Sequence, residues 1–177
     1  MVSVDFFTVP TATFSVLFVF LIMSNARRRV VHFNVTESPT AAWTSRQIIQ
    51  AFPWDTAPRY LLRDRDGKYG EEFNRRVESM GIEQVLIAAR SPWQNPYVER
   101  LIGSIRRECL DHTIIFNEKH LRRVLKQYFC YYHECRTHLG LEKDCPKPRQ
   151  IEPPDLGSIS TEPMVGGLHN RYFRRAA

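Results

Sequence analysis

The sequence predicts an α/β fold in which a mixed central sheet is covered by helices on both faces. Three strand-like runs open the chain at residues 2–9, 15–24 and 29–36, and they are rich in Val, Phe and Ile. Consecutive strands with such short, turn-like links are most simply antiparallel neighbours. Strand and helix patterns then alternate along the chain, which requires a partly parallel sheet packed between helices.

Shorter helices and strands are expected to alternate through the middle of the chain. A helix between residues 38 and 52 ends before a proline, and an apolar strand at residues 60–63 follows it. A second helix, at about residues 71–80, is expected to stop at Gly81, because glycine adopts the left-handed conformation of a C-cap most easily. Residues 82–88 then supply the last strand of the sheet.

Two amphipathic helices are predicted in the second half of the chain. The first begins near Pro96, which the first helical turn tolerates, and Asn95 before it is a good capping residue. The second opens at Asn117 and packs onto the core. In the first helix, apolar residues recur at three- and four-residue steps and form one buried stripe: Val98, Leu101, Ile102, Ile105 and Cys109.

Three carboxylates stand out because each adjoins an apolar segment. Asp5 lies within the first strand, Asp64 follows the strand at residues 60–63, and Glu99 lies at the edge of the buried stripe. A compact fold could bring them together around divalent metal, which prefers oxygen ligands. The alternative for Glu99 is a solvated helix flank, and the alternative for Asp5 is an edge-strand position that faces water.

The spacing of these carboxylates and their neighbours follows an ordered set of motifs. Glu99 follows Asp64 by 35 positions, and the segment from Asp64 to Tyr69 runs Asp, a polar residue, Asp, Gly, Lys, Tyr. One stretch has the pattern Pro-x-x-Asn-x-x-x-Glu-Arg and consists of Pro92, Asn95, Glu99 and Arg100. A downstream segment has a Tyr, an Arg-x-His and a Leu, at Tyr132, Arg136, His138 and Leu141. Together these motifs resemble those of the DDE recombinases, the insertion-sequence transposases and retroviral-type integrase cores.

The resemblance covers roughly residues 5–148 and implies a ribonuclease-H-like fold. It implies that Asp5, Asp64 and Glu99 are the catalytic residues and the metal ligands, and that the cofactor is Mg²⁺ or Mn²⁺, as two ions. Two ions about 3.5–4 Å apart can hold the attacking and departing oxygens of a phosphodiester in line. Asp66 competes with Asp64 as the second carboxylate, but a place just before a glycine is typical of a turn residue.

Basic side chains could bind the backbone of DNA. Lys and Arg total 25 against 19 Asp and Glu, and the formal net charge of +6 is compatible with a polyanionic partner. Arg106 follows Glu99 by seven positions, where the resemblance implies a basic residue beside the acidic site. For the other basic residues an ordinary solvated surface is the alternative. The residues predicted to contact DNA are Arg100, Arg106, Arg107, Arg136 and His138.

Membrane, disulfide and zinc functions fit the sequence less well. Residues 14–23 are apolar, but a membrane span needs about 20 residues, and a signal peptide carries its positive charge before the apolar run. A buried strand is therefore expected, in a soluble, cytoplasmic protein without a membrane partner. The four cysteines form no CxxC pair, which favours reduced thiols. The zinc-type side chains of Cys130, His133, Cys135 and His138 would diverge on a helix.

The expected organisation is a catalytic core at residues 1–148, followed by a Pro-rich linker and basic tail at residues 149–177. The predicted function is DNA integration or transposition, in which a homo-oligomer acts on transposon ends and target DNA without a small-molecule substrate. One alternative is a truncated, inactive transposase remnant, because the family usually has a DNA-binding region before the core and Met1 lies four residues before Asp5. Another is a non-catalytic nucleic-acid-binding module that uses the basic helices and tail.

Overall fold

A five-stranded mixed sheet forms the centre of the protein, in a computed structural model that describes residues 1–89 and 91–176. β1 (Val2–Pro10), β2 (Val16–Ser24) and β3 (Arg29–Thr36) form an antiparallel meander. β4 (Tyr60–Arg63) runs parallel to β1, and β5 (Glu83–Leu86) runs parallel to β4. The strand order β3-β2-β1-β4-β5 agrees with the antiparallel start and parallel additions that the sequence predicts.

β2 lies between β1 and β3 and accounts for the apolar run near the N-terminus. Leu17 and residues 19–23 are completely buried, whereas Phe14 is exposed in the turn before the strand. The expectation of a buried strand is therefore confirmed. In the described parts of the chain, none of the helices combines the length and the apolar character that crossing a membrane requires.

Helices cover both faces of the sheet, as the sequence predicts. α1 (Ala41–Ala51) and α2 (Glu71–Ser79) pack on the face that carries Phe20 and Ile22. α3 (Pro96–Glu108) and α4 (Glu118–Glu134) pack on the face that carries the alternate residues of β2. Successive side chains of a strand point to opposite faces, so this one strand contributes to two apolar cores. The buried side chains of the α3 and α4 core that come from β2 are Leu17, Val19, Leu21 and Met23.

Among the predicted helix ends, those at Asn117 and Gly81 are confirmed, and the cap at Asn95 is not. Thr40 and Asn117 cap α1 and α4, because the side chain of each accepts the backbone N–H three residues ahead. Gly81 follows α2 with a left-handed φ of +69°. The prediction that Asn95 caps α3 is wrong, since its side chain makes no capping hydrogen bond. That side chain has a partner elsewhere in the fold, described below.

The segment beyond the Pro-rich linker forms a β-hairpin. β6 (Ser158–Met164) and β7 (His169–Arg175) pair in antiparallel fashion. Val165, in the turn between them, is buried in the core under α4. The ring of His169 stacks on Tyr131 of α4, with 4.1 Å between ring centroids. The hairpin is therefore packed against the second long helix.

Element boundaries differ slightly from those expected. The strand predicted at residues 82–88 is confined to β5, and the helix predicted at about 71–80 ends at Ser79. Ala177, the last residue of the expected tail, lies outside the described residues. The division into a core at residues 1–148 and a linker with a tail stays a prediction.

An ion pair joins the ends of α3 and α4. Glu108 accepts hydrogen bonds from Nη2 and Nε of Arg136 at 2.6 and 2.7 Å and from the hydroxyl of Tyr128 at 2.8 Å. Burial alone would raise the pKa of Glu108, but these hydrogen bonds outweigh it and hold the pKa below its ordinary value. The ionised pair therefore stabilises the fold fully at pH values above the ordinary glutamate pKa. This contribution is lost as the pH falls through the lowered pKa of Glu108.

The substitution Glu108→Gln tests this pair. It should lower the free energy of unfolding by about 1–3 kcal/mol at neutral pH, because Arg136 is left partly buried without its counter-charge. The loss should shrink at an acidic pH below the lowered pKa of Glu108, where the wild-type carboxylate is also protonated. Urea unfolding at both pH values measures it, with Glu134→Gln as the control because the ion pair of Glu134 with Lys147 is exposed. An equal loss at both pH values would contradict the assignment.

Candidate active site

Asp5 projects from β1 toward α3. It shares a face of the strand with Phe7 and Val9, which pack in the core beneath α3 and α4, because side chains alternate along a strand. Phe6 lies on the opposite face and contacts Phe20. The carboxylate of Asp5 is half-buried and accepts the backbone N–H of Phe6 at 2.7 Å. β1 as a whole is an interior strand between β2 and β4, although its ladder with β4 pairs Val2 and Ser3 and ends before Asp5.

Asp64 and Asp66 lie in the turn that follows β4. The carboxylate of Asp64 accepts the N–H of Asp66 at 3.3 Å, and the carboxylate of Asp66 accepts the N–H of Lys68 at 2.9 Å. Asp66 also forms an ion pair of 2.5 Å with Nζ of Lys68. These local bonds are those of a turn residue, as expected for Asp66. Asp64 forms no ion pair within the described part of the chain.

Asn95 holds the start of α3, which carries Glu99, against β1. Its Nδ2 donates to the backbone carbonyl of Val4 at 3.3 Å, one residue before Asp5. Asn95 is 2% exposed, and its Oδ1 has no hydrogen-bond partner among residues 1–89 and 91–176. Glu99, in the first turn of α3, is exposed. The asparagine thus fixes the helix that carries one carboxylate to the strand that carries another.

Two adjoining clefts, of about 350 and 370 Å³, lie between α3, β1 and the turn after β4. Asp5, Asp66 and Glu99 line both clefts, and Asp64 lines the second. The structure therefore brings the three carboxylates predicted from the sequence, and Asp66, to one region of the surface. Arg106 lines the first cleft from α3, where its Nη2 donates to a backbone carbonyl of β1 at 3.3 Å.

Burial and mutual repulsion oppose full ionisation of these carboxylates. Burial is the main cause that raises the pKa of Asp5 to about 7; the hydrogen bond from Phe6 opposes it, and the charges of Glu99, Asp64 and Asp66 add to it. Burial also raises the pKa of Glu99, and the charge of Asp64 adds to that effect. A cation placed among these groups would relieve the repulsion.

The side chains suit a hard divalent cation chemically, but they are not assembled around one. Carboxylate oxygens are the ligands that Mg²⁺ and Mn²⁺ prefer. Across residues 1–89 and 91–176, no three acidic, imidazole or thiol side chains are arranged so that they could share a metal ion. Mutual repulsion, which adds to the effect of burial on the pKa of Asp5, is a physical reason for uncompensated carboxylates to stand apart. Metal binding by Asp5, Asp64 and Glu99 stays a prediction.

The basic side chains predicted to contact DNA fall in two places. Arg106 stands at the first carboxylate cleft. Arg100, Arg107, Arg136 and His138 line a separate pocket between α3 and the end of α4. The charge of Arg136 is already engaged in the ion pair that joins these helices. Contact of the five residues with DNA stays a prediction.

Sequence reasoning missed three side chains that shape these places. Lys68 lines the first cleft and compensates Asp66, and its position two residues after that acid was the available signal. Asn95 was recognised as a motif residue and as a helix cap, but its contact with β1 was not predicted. Arg28 reaches the pocket between α3 and α4 from the β2–β3 turn. No spacing rule links Arg28 to that pocket, because the contact depends on how the turn packs.

Comparison with known proteins agrees with this architecture. Residues 80–146 match the family described as the integrase core domain. This segment contains α3 with Glu99 and the whole of α4. The resemblance to transposase and integrase cores that the motifs indicated is therefore confirmed.

Two curated relatives are insertion element proteins. An uncharacterised 39.2 kDa protein of insertion element IS476 from Xanthomonas euvesicatoria is 29% identical over 148 residues, which are 74% of this chain and 42% of that protein. An uncharacterised 31.7 kDa protein of insertion element IS407 from Burkholderia multivorans is 27% identical over 149 residues, which are 75% of this chain and 52% of that protein. The chain thus spans about half the length of these relatives.

Solved structures show the same fold. The catalytic domain of Mos1 mariner transposase has a TM-score of 0.62 at 17% identity, over 73% of this chain and 69% of that one. The HTLV-2 integrase catalytic core domain, solved in complex with magnesium in a trimeric form, has a TM-score of 0.63 at 13% identity. That match covers 82% of this chain and 91% of the integrase domain. The fold is the ribonuclease-H-like fold of integrase and transposase catalytic domains, as predicted.

The pKa of Asp5 predicts a pH-dependent effect of Asp5→Asn on the metal-free protein. An acid whose folded pKa is raised costs stability once the pH rises above its ordinary value, so the neutral variant should be more stable than wild type. This advantage should be about 1–3 kcal/mol larger at pH 8 than at pH 5, allowing for partial exposure. Urea unfolding with a chelator present measures it, and the exposed Asp55→Asn is the control. A difference that does not change with pH would contradict the cause given for the shift.

Proposed function

We propose that the chain is the catalytic core of a metal-dependent DNA transposase or integrase, which cleaves phosphodiester bonds and transfers DNA strands. The observation that carries the proposal is the position of Asp5, Asp64 and Glu99 around adjoining clefts on a ribonuclease-H-like sheet. The match of residues 80–146 to the integrase core domain and the insertion element relatives support the same conclusion.

The residues of the cleft have distinct parts in such a reaction. Asp5, Asp64 and Glu99 would hold Mg²⁺ or Mn²⁺, and two such ions, when bound, supply charge stabilisation for the attacking and departing oxygens. Asn95 keeps α3 against β1 and so fixes the position of Glu99 relative to Asp5. Arg106, at the first cleft, presents a guanidinium to a phosphate of the bound strand.

The proposed partners are transposon ends and target DNA, bound by a homo-oligomer. The basic surface of the chain and its net charge of +6 are compatible with a polyanion. Among the proteins of the same fold, the HTLV-2 integrase core was solved in dimeric and trimeric forms with magnesium. We extend both properties to this chain as part of the proposal.

Two other functions differ from this proposal in what they predict for turnover. An inactive transposase remnant and a non-catalytic nucleic-acid-binding module would both bind DNA through the arginines without cleaving it. Binding that is weak and salt-sensitive is expected in every case, since phosphate contacts release counterions. A nicking assay on supercoiled plasmid DNA with Mg²⁺ or Mn²⁺ therefore separates them, because only the catalytic core produces open circles.

Glu99→Gln tests the proposal at the residue on which it most depends. The substitution keeps the size and helix preference of the side chain but removes the charge, so plasmid nicking should fall by about 100-fold or more. The rise in melting temperature caused by Mn²⁺ should also shrink, because that rise measures binding to the folded state.

Glu72→Gln is the matched control, because Glu72 is also an exposed glutamate in the first turn of a helix. It should keep both the nicking rate and the Mn²⁺ shift. If Glu99→Gln behaves like Glu72→Gln in both measurements, then Glu99 is a solvated flank and the assignment is wrong. If wild type binds DNA but never nicks it, one of the two non-catalytic functions replaces the proposal.

A further inference from the structure

A basic pocket of about 160 Å³ lies between α3, the end of α4 and the β2–β3 turn, and we call it the arginine pocket. It differs from the carboxylate clefts, although α3 contributes to both. Successive helix positions point about 100° apart. Glu99 and Arg106 therefore line the clefts, while the next residues, Arg100 and Arg107, line the pocket. The remaining polar side chains that the argument uses are Arg28, Tyr97, Arg136 and His138.

The positive charge of the arginine pocket is mostly uncompensated. Arg136 is paired with Glu108. Within the described residues, Arg28, Arg100 and Arg107 form no ion pair with a carboxylate. Three free guanidinium groups around one small pocket repel one another, and an anion between them would remove that cost.

His138 contributes a hydrogen-bond donor that lacks an acceptor. The side chain is 7% exposed, and Nη1 of Arg136 donates to its Nδ1 at 3.3 Å. Burial and then the charges of Arg136 and Arg28 lower the pKa of His138 to about 4, so the ring is neutral and its hydrogen is on Nε2. Among residues 1–89 and 91–176, Nε2 has no hydrogen-bond partner. A buried donor left unpaired costs about 1–3 kcal/mol, which an incoming oxygen would recover.

The arginine from the turn is held in place before any ligand arrives. The guanidinium of Arg28 lies 5.6 Å from the ring centroid of Tyr97. It also packs closely against Gly140, where an added Cβ would overlap Nη2 of Arg28. The turn itself is anchored by Arg27, which forms an ion pair of 2.8 Å with Asp144. A positioned guanidinium needs to lose little conformational freedom when it binds an oxyanion.

We propose that the arginine pocket binds one phosphate group of a DNA strand that lies outside the carboxylate clefts. Guanidinium groups match the geometry and charge of a phosphate, and a neutral imidazole N–H donates to a phosphate oxygen without adding charge. The proposal rests on the proposed function, because DNA is the source of the phosphate. It adds a second point of contact, on the neighbouring face of α3, that would fix the direction of the strand.

The test uses the full chain with metal chelated, so that the carboxylate clefts do not contribute. The double substitution Arg100→Gln and Arg107→Gln removes two exposed charges from the pocket. The matched control, Arg46→Gln with Arg75→Gln, removes two exposed arginines from α1 and α2 on the opposite face of the sheet. The probes are inorganic phosphate, followed by thermal unfolding, and duplex DNA, followed by affinity against salt concentration.

Inorganic phosphate should raise the melting temperature of wild type and of the control, and this shift should be lost in the pocket variant. The slope of log affinity against log salt for DNA should fall by about one in the pocket variant alone, because the pocket takes one phosphate. Equal phosphate shifts in the two variants would overturn the inference. The inference would also be overturned if the pocket variant lost the phosphate-induced rise in melting temperature but kept the wild-type salt slope of DNA affinity. The pocket would then bind a free phosphate compound and not DNA.

Failure of the proposed function gives a different result. In that case wild type would show no nicking and no Mn²⁺ shift, while the phosphate and DNA measurements still separate the pocket variant from its control. The pocket variant should keep the Mn²⁺ shift of wild type, since neither substituted residue lines the carboxylate clefts. If the pocket variant lost both the Mn²⁺-induced and the phosphate-induced rise in melting temperature, the carboxylate clefts and the arginine pocket would be one site. That result would contradict the inference.

Discussion

The contact between the start of α3 and β1 determines where Glu99 stands relative to Asp5. Asn95 ties the helix to the carbonyl of Val4, and the residues behind it bury the apolar stripe of α3. Each fully buried aliphatic side chain contributes about 1.5–3 kcal/mol. Rotation of α3 by one residue would expose that stripe and exchange Glu99 for Arg100 at the cleft. The rotational position of this helix therefore decides whether α3 adds an acidic or a basic side chain to the cleft.

The same contact has a cost, which the rest of the fold must offset. Asp5 lies on an interior strand, and its charge is unfavourable there because of burial and nearby carboxylates. Asn95 keeps a buried carbonyl oxygen without a partner within the described residues. Local features that lower stability are expected where a protein keeps polar groups for function rather than for packing. The two apolar cores and the pair formed by Glu108 and Arg136 supply the opposing contribution.

The sequence predicted the fold because its signals are local. The apolar run of β2, the three- and four-residue steps of α3 and the caps of α1 and α4 each depend on neighbours within a few residues. The role of Asn95 was predicted wrongly because its partner, Val4, is 91 positions away. An asparagine just before a helix has the same local sequence whether its side chain caps that helix or bonds to a distant strand. The grouping of four predicted DNA-contact residues with Arg28 in one pocket, and the packing of the C-terminal hairpin on Tyr131, were not predicted for the same reason. The candidate carboxylates were found through spacing, but their separation and electrostatics required the structure.

Crystallography with Mn²⁺ tests the central claim most directly. Crystals of the protein soaked in Mn²⁺, with diffraction recorded near the manganese absorption edge, would show any bound ion as an anomalous peak. We expect a peak in the carboxylate clefts with Asp5, Asp64 and Glu99 as ligands, and a small movement of these side chains toward it. A peak held by Asp66 without those residues, or saturating Mn²⁺ with no peak in either cleft, would contradict the account.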